Sequence, residues 1–206
     1  MRELVPYKTV HRAQKALDNG GRFYNLFTAA ADNIIEPSEL ARATGSLSLG
    51  AKAFLFFEMA LLDLPPEQRA KTTALLSPDL RARFEKERPR SLIPSLVELE
   101  GKNGISAIVS GFPVFVEKKS QVSGFIFTVV PVIMLIPITE IFDVYEVFDT
   151  PEMKTPRTVI ATARGSKRLD GVFSRFGGVL RELQFDDKTG KSHGLYLDTL
   201  YYTPLV

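Results

Sequence analysis

Residues Val122 to Ile138 read VSGFIFTVVPVIMLIPI, and no charged side chain occurs from Gln121 through Thr139. A membrane-crossing helix needs roughly 20 apolar residues, and Lys118 and Lys119 before the run with Glu140 and Asp143 after it would flank one suitably. Pro131, Pro137 and Gly124 interrupt the run, however, and its residues are mostly β-branched or aromatic, so it reads as β structure. The two prolines have the same parity. In one extended strand both missing N–H donors would face one side, which is then a sheet edge or bulge, while the other side keeps its ladder. A tight hairpin at Val130, Pro131 and Val132 is disfavoured because none of the three readily supplies positive φ. The expectation is a single strand with Phe125, Phe127, Val129, Ile133 and Leu135 on one face and Ile126, Val130, Val132, Met134 and Ile136 on the other, buried between a barrel interior and a helical half. With one face open, the same strand would form a groove for a lipid, a pigment or a partner strand.

Around this run the second half of the chain is rich in Val, Ile, Phe and Tyr. Strands are expected in GISAIVSGFPVFVEKK, PITEIFDVYEVFDT, RTVIATARGS, GGVLRELQFDD and KSHGLYLDTLYYT. The last two form a hairpin: Val179, Arg181, Leu183 and Phe185 alternate with Leu180, Glu182 and Gln184, and DDKTGK supplies turn chemistry. RPRSLIPSL reads as a linker or boundary.

Before that boundary, Thr9 to about Arg88 is helical and punctuated by its own stop signals. TVHRAQKALDNGG is a helix closed by Asn19, Gly20 and Gly21. GRFYNLFTAAADN carries an apolar stripe of Phe23, Leu26, Phe27 and Ala30. Glu36, Pro37, Glu39 and Gly45 mark the cap, first turn and end of the next helix, LGAKAFLFFEMALLDL is a central apolar helix, and PPEQRAKTTALL and SPDLRARFEKER each open on proline. The fold class expected is therefore α+β, with a helical domain over 1–90 and a β-rich domain over 91–206, a mostly antiparallel sheet or partly closed small barrel.

Composition bounds the function. The 206 residues are 45% hydrophobic and 24% charged, as in folded globular chains. Lys+Arg 26 against Asp+Glu 24 leaves +2, so any electrostatic partner has to be captured locally. The absence of cysteine removes disulfides, thiolate nucleophiles and Cys-ligated metals. MRELVPYKTVHRAQKALDNGG has no apolar signal core, and a cytoplasmic location is expected.

Chemistry-bearing motifs are sparse. No GxxxxGK[ST] is present and no GxGxxG follows a strand, while His11 and His193 stand in no nucleophile or metal pattern. Glu140, Asp143, Glu146 and Asp149 stand three apart, which in a strand alternates faces and reads as solvated rims. Thr28–Leu40, TAAADNIIEPSEL, resembles a degenerate EF-hand loop with Glu39 at the final ligand position, Ile35 at the hydrophobic one, and Asp32 and Glu36 on ligand-type positions. Thr28 and Ala30 fill its first two ligand positions and Asn33 replaces the glycine, so a plain helix connection without calcium is expected. No catalytic residue, metal or cofactor is assigned, and the chain is read as non-catalytic.

The densest cationic segment is ARGSKRLDGVFSRFGGVLREL. Arg164, Lys167, Arg168, Arg175 and Arg181 stand among Phe173, Phe176 and four glycines, a mixture suited to single-stranded nucleic acid or anionic surfaces, although a solvated loop with its phenylalanines in the core reads as well. Arg164, Lys167, Arg168, Phe173, Arg175 and Phe176 are the partner-binding candidates. The function expected is that of a cytoplasmic binding or assembly protein acting on another protein through its β half. The alternatives are an OB-like nucleic-acid module using Arg164 to Arg181 and a carrier of an apolar ligand or lipid. No membrane span is expected.

Overall fold

The computed structural model describes residues 1–20, 30–45, 50–129, 133–152, 157–163, 169, 171–185 and 192–205; within its strands, 116–129, 133–142, 157, 162–163, 183–185 and 192–193 are described by backbone alone. Among the described residues five helices precede residue 90: α1 (Val10–Leu17), α2 (Pro37–Ala43), α3 (Ala51–Ala60), α4 (Pro66–Ala74) and α5 (Pro78–Glu87). Their ends follow local chemistry. Thr9 Oγ1 accepts from Arg12 N at 3.2 Å to cap α1, and Gly20 turns away at φ 65°. Pro37, Pro66 and Pro78 each open a helix, where a missing N–H costs no bond, and Gly45 leaves α2 at φ 69°. The apolar stripe expected in Phe23–Ala30 lies almost wholly outside the described residues. Leu17, Leu40, Phe54, Phe57, Leu76, Leu80 and Phe84 form the core of this half, with Phe84 edge-on to Phe57 at 5.1 Å.

The remaining elements are β1 (Arg2–Glu3), β2 (Arg90–Leu92), α6 (Pro94–Glu100), β3 (Ser106–Val129), β4 (Ile133–Phe148), β5 (Arg157–Ala163), β6 (Ser174–Phe185) and β7 (Ser192–Pro204). Strands β3, β4, β5, β7 and β6 pair in that order, and β6 returns to β3, so the sheet closes into a barrel. Around this ring all neighbours are antiparallel except β5 and β7, while β1 and β2 join β7 and β3 in parallel. Counting these strands in chain order, the ring runs first, second, third, fifth, fourth, which is the OB-fold order. The α+β class with a small barrel is thus the observed architecture. The hairpin of β6 and β7 is also present, from Ser174↔Pro204 to Phe185↔Ser192.

Two stretches differ from expectation. Arg90–Leu92 is not linker: it pairs with Ala107–Val109, and Pro94 opens α6, whose Val97 is buried in the barrel core. The apolar run is two arms of one hairpin rather than one strand, since Phe125 faces Pro137, Phe127 faces Leu135 and Val129 faces Ile133. The expectation of one continuous strand through both prolines therefore does not hold; Pro137 lies in β4, and Pro131 is outside the described residues.

The two halves are clamped together. Leu55 and Met59 of α3 meet Ile108 and Tyr201 of the barrel in a common core. Gly177 permits this approach, because a Cβ there would collide with Met59 Sδ. At the rim Asp63 accepts from Lys8 Nζ and from an Arg175 guanidinium nitrogen, both at 2.9 Å. The first residues join the sheet as well: Leu4 N donates to Tyr202 O at 2.8 Å and Thr203 Oγ1 to Leu4 O at 2.8 Å. Tyr202 donates to Glu3 at 2.9 Å, and burial together with this carboxylate pushes its phenol up to about 12. No helix among the described residues is long and apolar enough to cross a membrane.

Candidate functional site

The barrel engages only the base of the long hairpin. β6 pairs with β3 up to Gly111, and β5 pairs with β4 from Phe142 to Phe148. Beyond those points, Ser120–Val129 and Ile133–Ile141 pair with each other and, among the described residues, with no other strand. At ~3.3 Å rise per residue this part of the ribbon is about 30 Å long. Register shifts between Phe115 and Glu117 and between Val122 and Gly124 bulge β3 there, which bends the ribbon and increases its twist. The outer edge of β3 keeps every backbone donor from Val114 to Val129, whereas β4 lacks one at Pro137. The ribbon thus combines backbone edges able to accept a strand with an uncharged sequence.

At the base the same two strands behave differently. Asp143, Tyr145 and Val147 are buried while Val144 and Glu146 are half-buried, the alternation of a strand with one face inward. Asp143 therefore lies on the inward parity, 7% exposed, and not on a solvated rim as expected. The tyrosine beside it packs edge-on against Phe115 at 5.4 Å. Asp149 accepts from Ser95 N at 3.3 Å and helps fix the start of α6.

Of the six partner-binding candidates, Arg164, Lys167 and Arg168 lie outside the described residues. Phe173 is half-buried and edge-on to Phe112 at 5.0 Å. Arg175 is held in the Asp63 ion pair, and Phe176 is fully buried among Val109, Leu180 and Tyr202. Phe176 accordingly offers no stacking face, because its parity along β6 is inward with Leu180. The structure does not gather the described members into one surface.

The EF-hand-like loop is a helix connection in which acidic side chains serve backbone. Asp18 accepts from Asp32 N at 3.2 Å and Asn33 N at 2.8 Å, and Glu39 accepts from Gly20 N and, at 2.9 Å, from Glu36 N. Burial raises the Glu39 carboxyl, against the lowering effect of its backbone hydrogen bonds, and nearby Asp18 raises it further. Ile35 is buried and its backbone bridges to Leu76, while Thr28 lies outside the described residues. His11 is exposed on α1, and only the backbone of His193 is described, opposite Gln184. Among the described residues no three His, Asp or Glu side chains are grouped to hold a metal.

One cluster escaped the sequence reading. Arg69 and Thr73 on α4, Arg81, Phe84 and Glu85 on α5, and Arg88 just past its end line a groove of about 420 Å³. Arg69 and Thr73 stand i, i+4 and Arg81, Phe84, Glu85 and Arg88 stand i, i+3, i+4, i+7, the signal that would have found them.

No family model matches the chain, and no curated protein matches it in sequence. Among solved structures, the N-terminal domain of an archaeal MCM aligns over 84% of this chain and 86% of its own at 11% identity, with a TM-score of 0.45. That likeness is too loose to carry over any property of the archaeal domain.

Proposed function

We propose that the chain is a non-catalytic, cytoplasmic binding or assembly protein that holds a partner protein through the β3–β4 ribbon. The observation that carries this reading is the self-paired segment Ser120–Ile141, whose sequence bears no charge from Gln121 through Thr139. A two-stranded hairpin is marginal by itself in water, and an apolar sequence on both faces favours cover. The uncharged ribbon gives nucleic acid no counterions to release, so it suits a protein surface of apolar side chains better than a phosphate backbone. A strand added to the Pro-free edge of β3 would supply main-chain hydrogen bonds, with side-chain pockets setting specificity.

Site-specific photocrosslinking in the native host tests this. A crosslinker replacing Leu135 should trap one discrete protein, and Phe127→Lys together with Gln121→Lys should abolish the adduct while leaving the melting temperature near that of the parent. Binding must then be reconstituted with the purified partner. Absence of any protein adduct, or purified protein that co-sediments with lipid vesicles through the same residues, would overturn the reading.

The strand order favours a second reading, because OB barrels bind oligonucleotides across one face and the adjoining loops. Arg164, Lys167 and Arg168 stand in the sequence between Ala163 and Ser174 and would supply the cations, with Phe173 the remaining aromatic. In this reading Arg164→Ala and Arg168→Ala together weaken retention of a single-stranded oligonucleotide and flatten its salt dependence. Fold alone assigns neither reading.

A further inference from the structure

We propose that the groove between α4 and α5 is a binding site for a phosphate group carried by a small molecule. The two helices are joined by a short connection through Leu75, Leu76 and Ser77, and each turns one polar stripe to the groove. Three guanidinium groups meet there. Arg88 is fixed: it forks onto Glu58 at 2.9 and 3.1 Å, and its guanidinium lies 5.6 Å from the centre of the Phe84 ring. Arg81 is anchored by one nitrogen on Ala74 O at 2.9 Å and Leu76 O at 3.3 Å, where it also caps the carbonyl end of α4.

These anchors leave donors unused. The Nε atoms of both Arg69 and Arg81 are buried without a hydrogen-bond partner, and Arg69 forms no ion pair or side-chain hydrogen bond among the described residues. Buried donors without acceptors are rare in folded proteins, and an unfilled ion or water site is a usual cause. The charge points to the ion. Glu58 neutralises Arg88, and Glu85 is the one acidic side chain lining the groove, so Arg69 and Arg81 leave a positive surplus. Guanidinium forks arriving from two helices suit a tetrahedral oxyanion, which accepts from several directions, better than a planar carboxylate that one fork saturates.

Thermal unfolding of the full chain at constant ionic strength provides the test, with inorganic phosphate, glycerol phosphate and acetate as probes and sodium chloride as balance. Phosphate and its ester should each raise the melting temperature in a saturable way, and acetate should not. A stronger effect of the ester would identify a phosphorylated small molecule, and a stronger effect of the free ion would reduce the site to inorganic phosphate and overturn that part. Arg69→Gln should raise the half-saturating concentration at least tenfold while leaving melting without phosphate unchanged, because Arg69 holds nothing else in place. No phosphate-dependent shift in the parent, an equal shift from acetate, or an unaltered response in Arg69→Gln would each overturn the site. Arg81→Lys serves as a second variant, keeping the charge and removing the unpartnered Nε, and it too should weaken the response.

Discussion

The base and the upper part of the β3–β4 hairpin are continuous strands with opposite surroundings. At the base, Phe112–Lys119 faces Phe142–Phe148, β5 and α6 cover it, and the β4 residues alternate between buried and half-buried. In the upper part, Ser120–Val129 faces Ile133–Ile141 with no further strand among the described residues, and the sequence stops alternating. Alternation is what one-sided burial writes into a strand, and an unbroken apolar run is what cover on both faces writes. The barrel engages the hairpin only at its base. The apolar sequence of the upper part, without a further strand beside it among the described residues, is the reason to propose a partner at the ribbon.

The largest expected contrast is in the barrel itself. Phe176→Ala removes a fully buried ring that contacts no proposed ligand, and should cost about 3–5 kcal/mol by urea unfolding. A loss below about 1 kcal/mol would mean that the barrel core tolerates a cavity and is not the rigid base assumed for the ribbon.

A smaller effect is expected where the halves are clamped. Asp63→Asn leaves Arg175 without its charged acceptor and should cost about 1–3 kcal/mol, most of it through Arg175, because Lys8 is 66% exposed and contributes little. Burial alone would raise the Asp63 carboxyl, but hydrogen bonds and charge from Lys8 and Arg175 hold it below the ordinary value. A carboxyl lowered on folding stabilises above its unfolded pKa of about 3.9 and loses that contribution as pH falls further. The parent should therefore lose stability below about pH 4 more steeply than Asp63→Asn, as followed by melting temperature against pH. Parallel curves would show that this carboxylate does not link the halves.

The smallest change in stability is expected from the most drastic edit. Replacing residues 121–140 by Asn-Gly joins Ser120 to Ile141 in a two-residue turn that keeps their existing pairing. Stability should stay within about 1 kcal/mol of the parent, because a shorter connection closes more easily and the barrel pairings are untouched. Partner binding should vanish. A large loss of stability would mean that the ribbon is covered by its own chain rather than by a partner.

What the sequence made legible is what local chemistry decides. Thr9, Gly20, Pro37, Gly45, Pro66 and Pro78 each act within a few residues, and the helix ends fall where those residues require. The β6–β7 hairpin was legible for the same reason: alternation on both sides of a turn-forming DDKTGK. The β3–β4 hairpin was not, because residues 130–132, Val-Pro-Val, hold none of the Gly, Asn or Asp that mark a turn. Arg175 read as a free cation because its partner Asp63 lies 112 residues away, beyond the reach of any local pattern. Phe176 could have been assigned inward by extending the β6 alternation back from Leu180. Its neighbouring arginines and glycines instead made it look like part of a loop.

The pairing of Arg2 with Tyr201 and of Glu3 with Tyr202 also sets an order of events during synthesis. The ring cannot close before β7 is made, since β7 bridges β5 and β6, and the backbone partners of residues 2 to 4 are on that strand. The helices can form from local signals as they leave the ribosome, yet the β pairing of residues 2 and 3 must wait for some two hundred residues of chain. Contacts of such separation are entropically late and make for slow folding. Until residue 204 has emerged, the nascent chain carries an unclosed sheet together with the uncharged ribbon sequence, and this interval is when it is most exposed to aggregation and most in need of a chaperone.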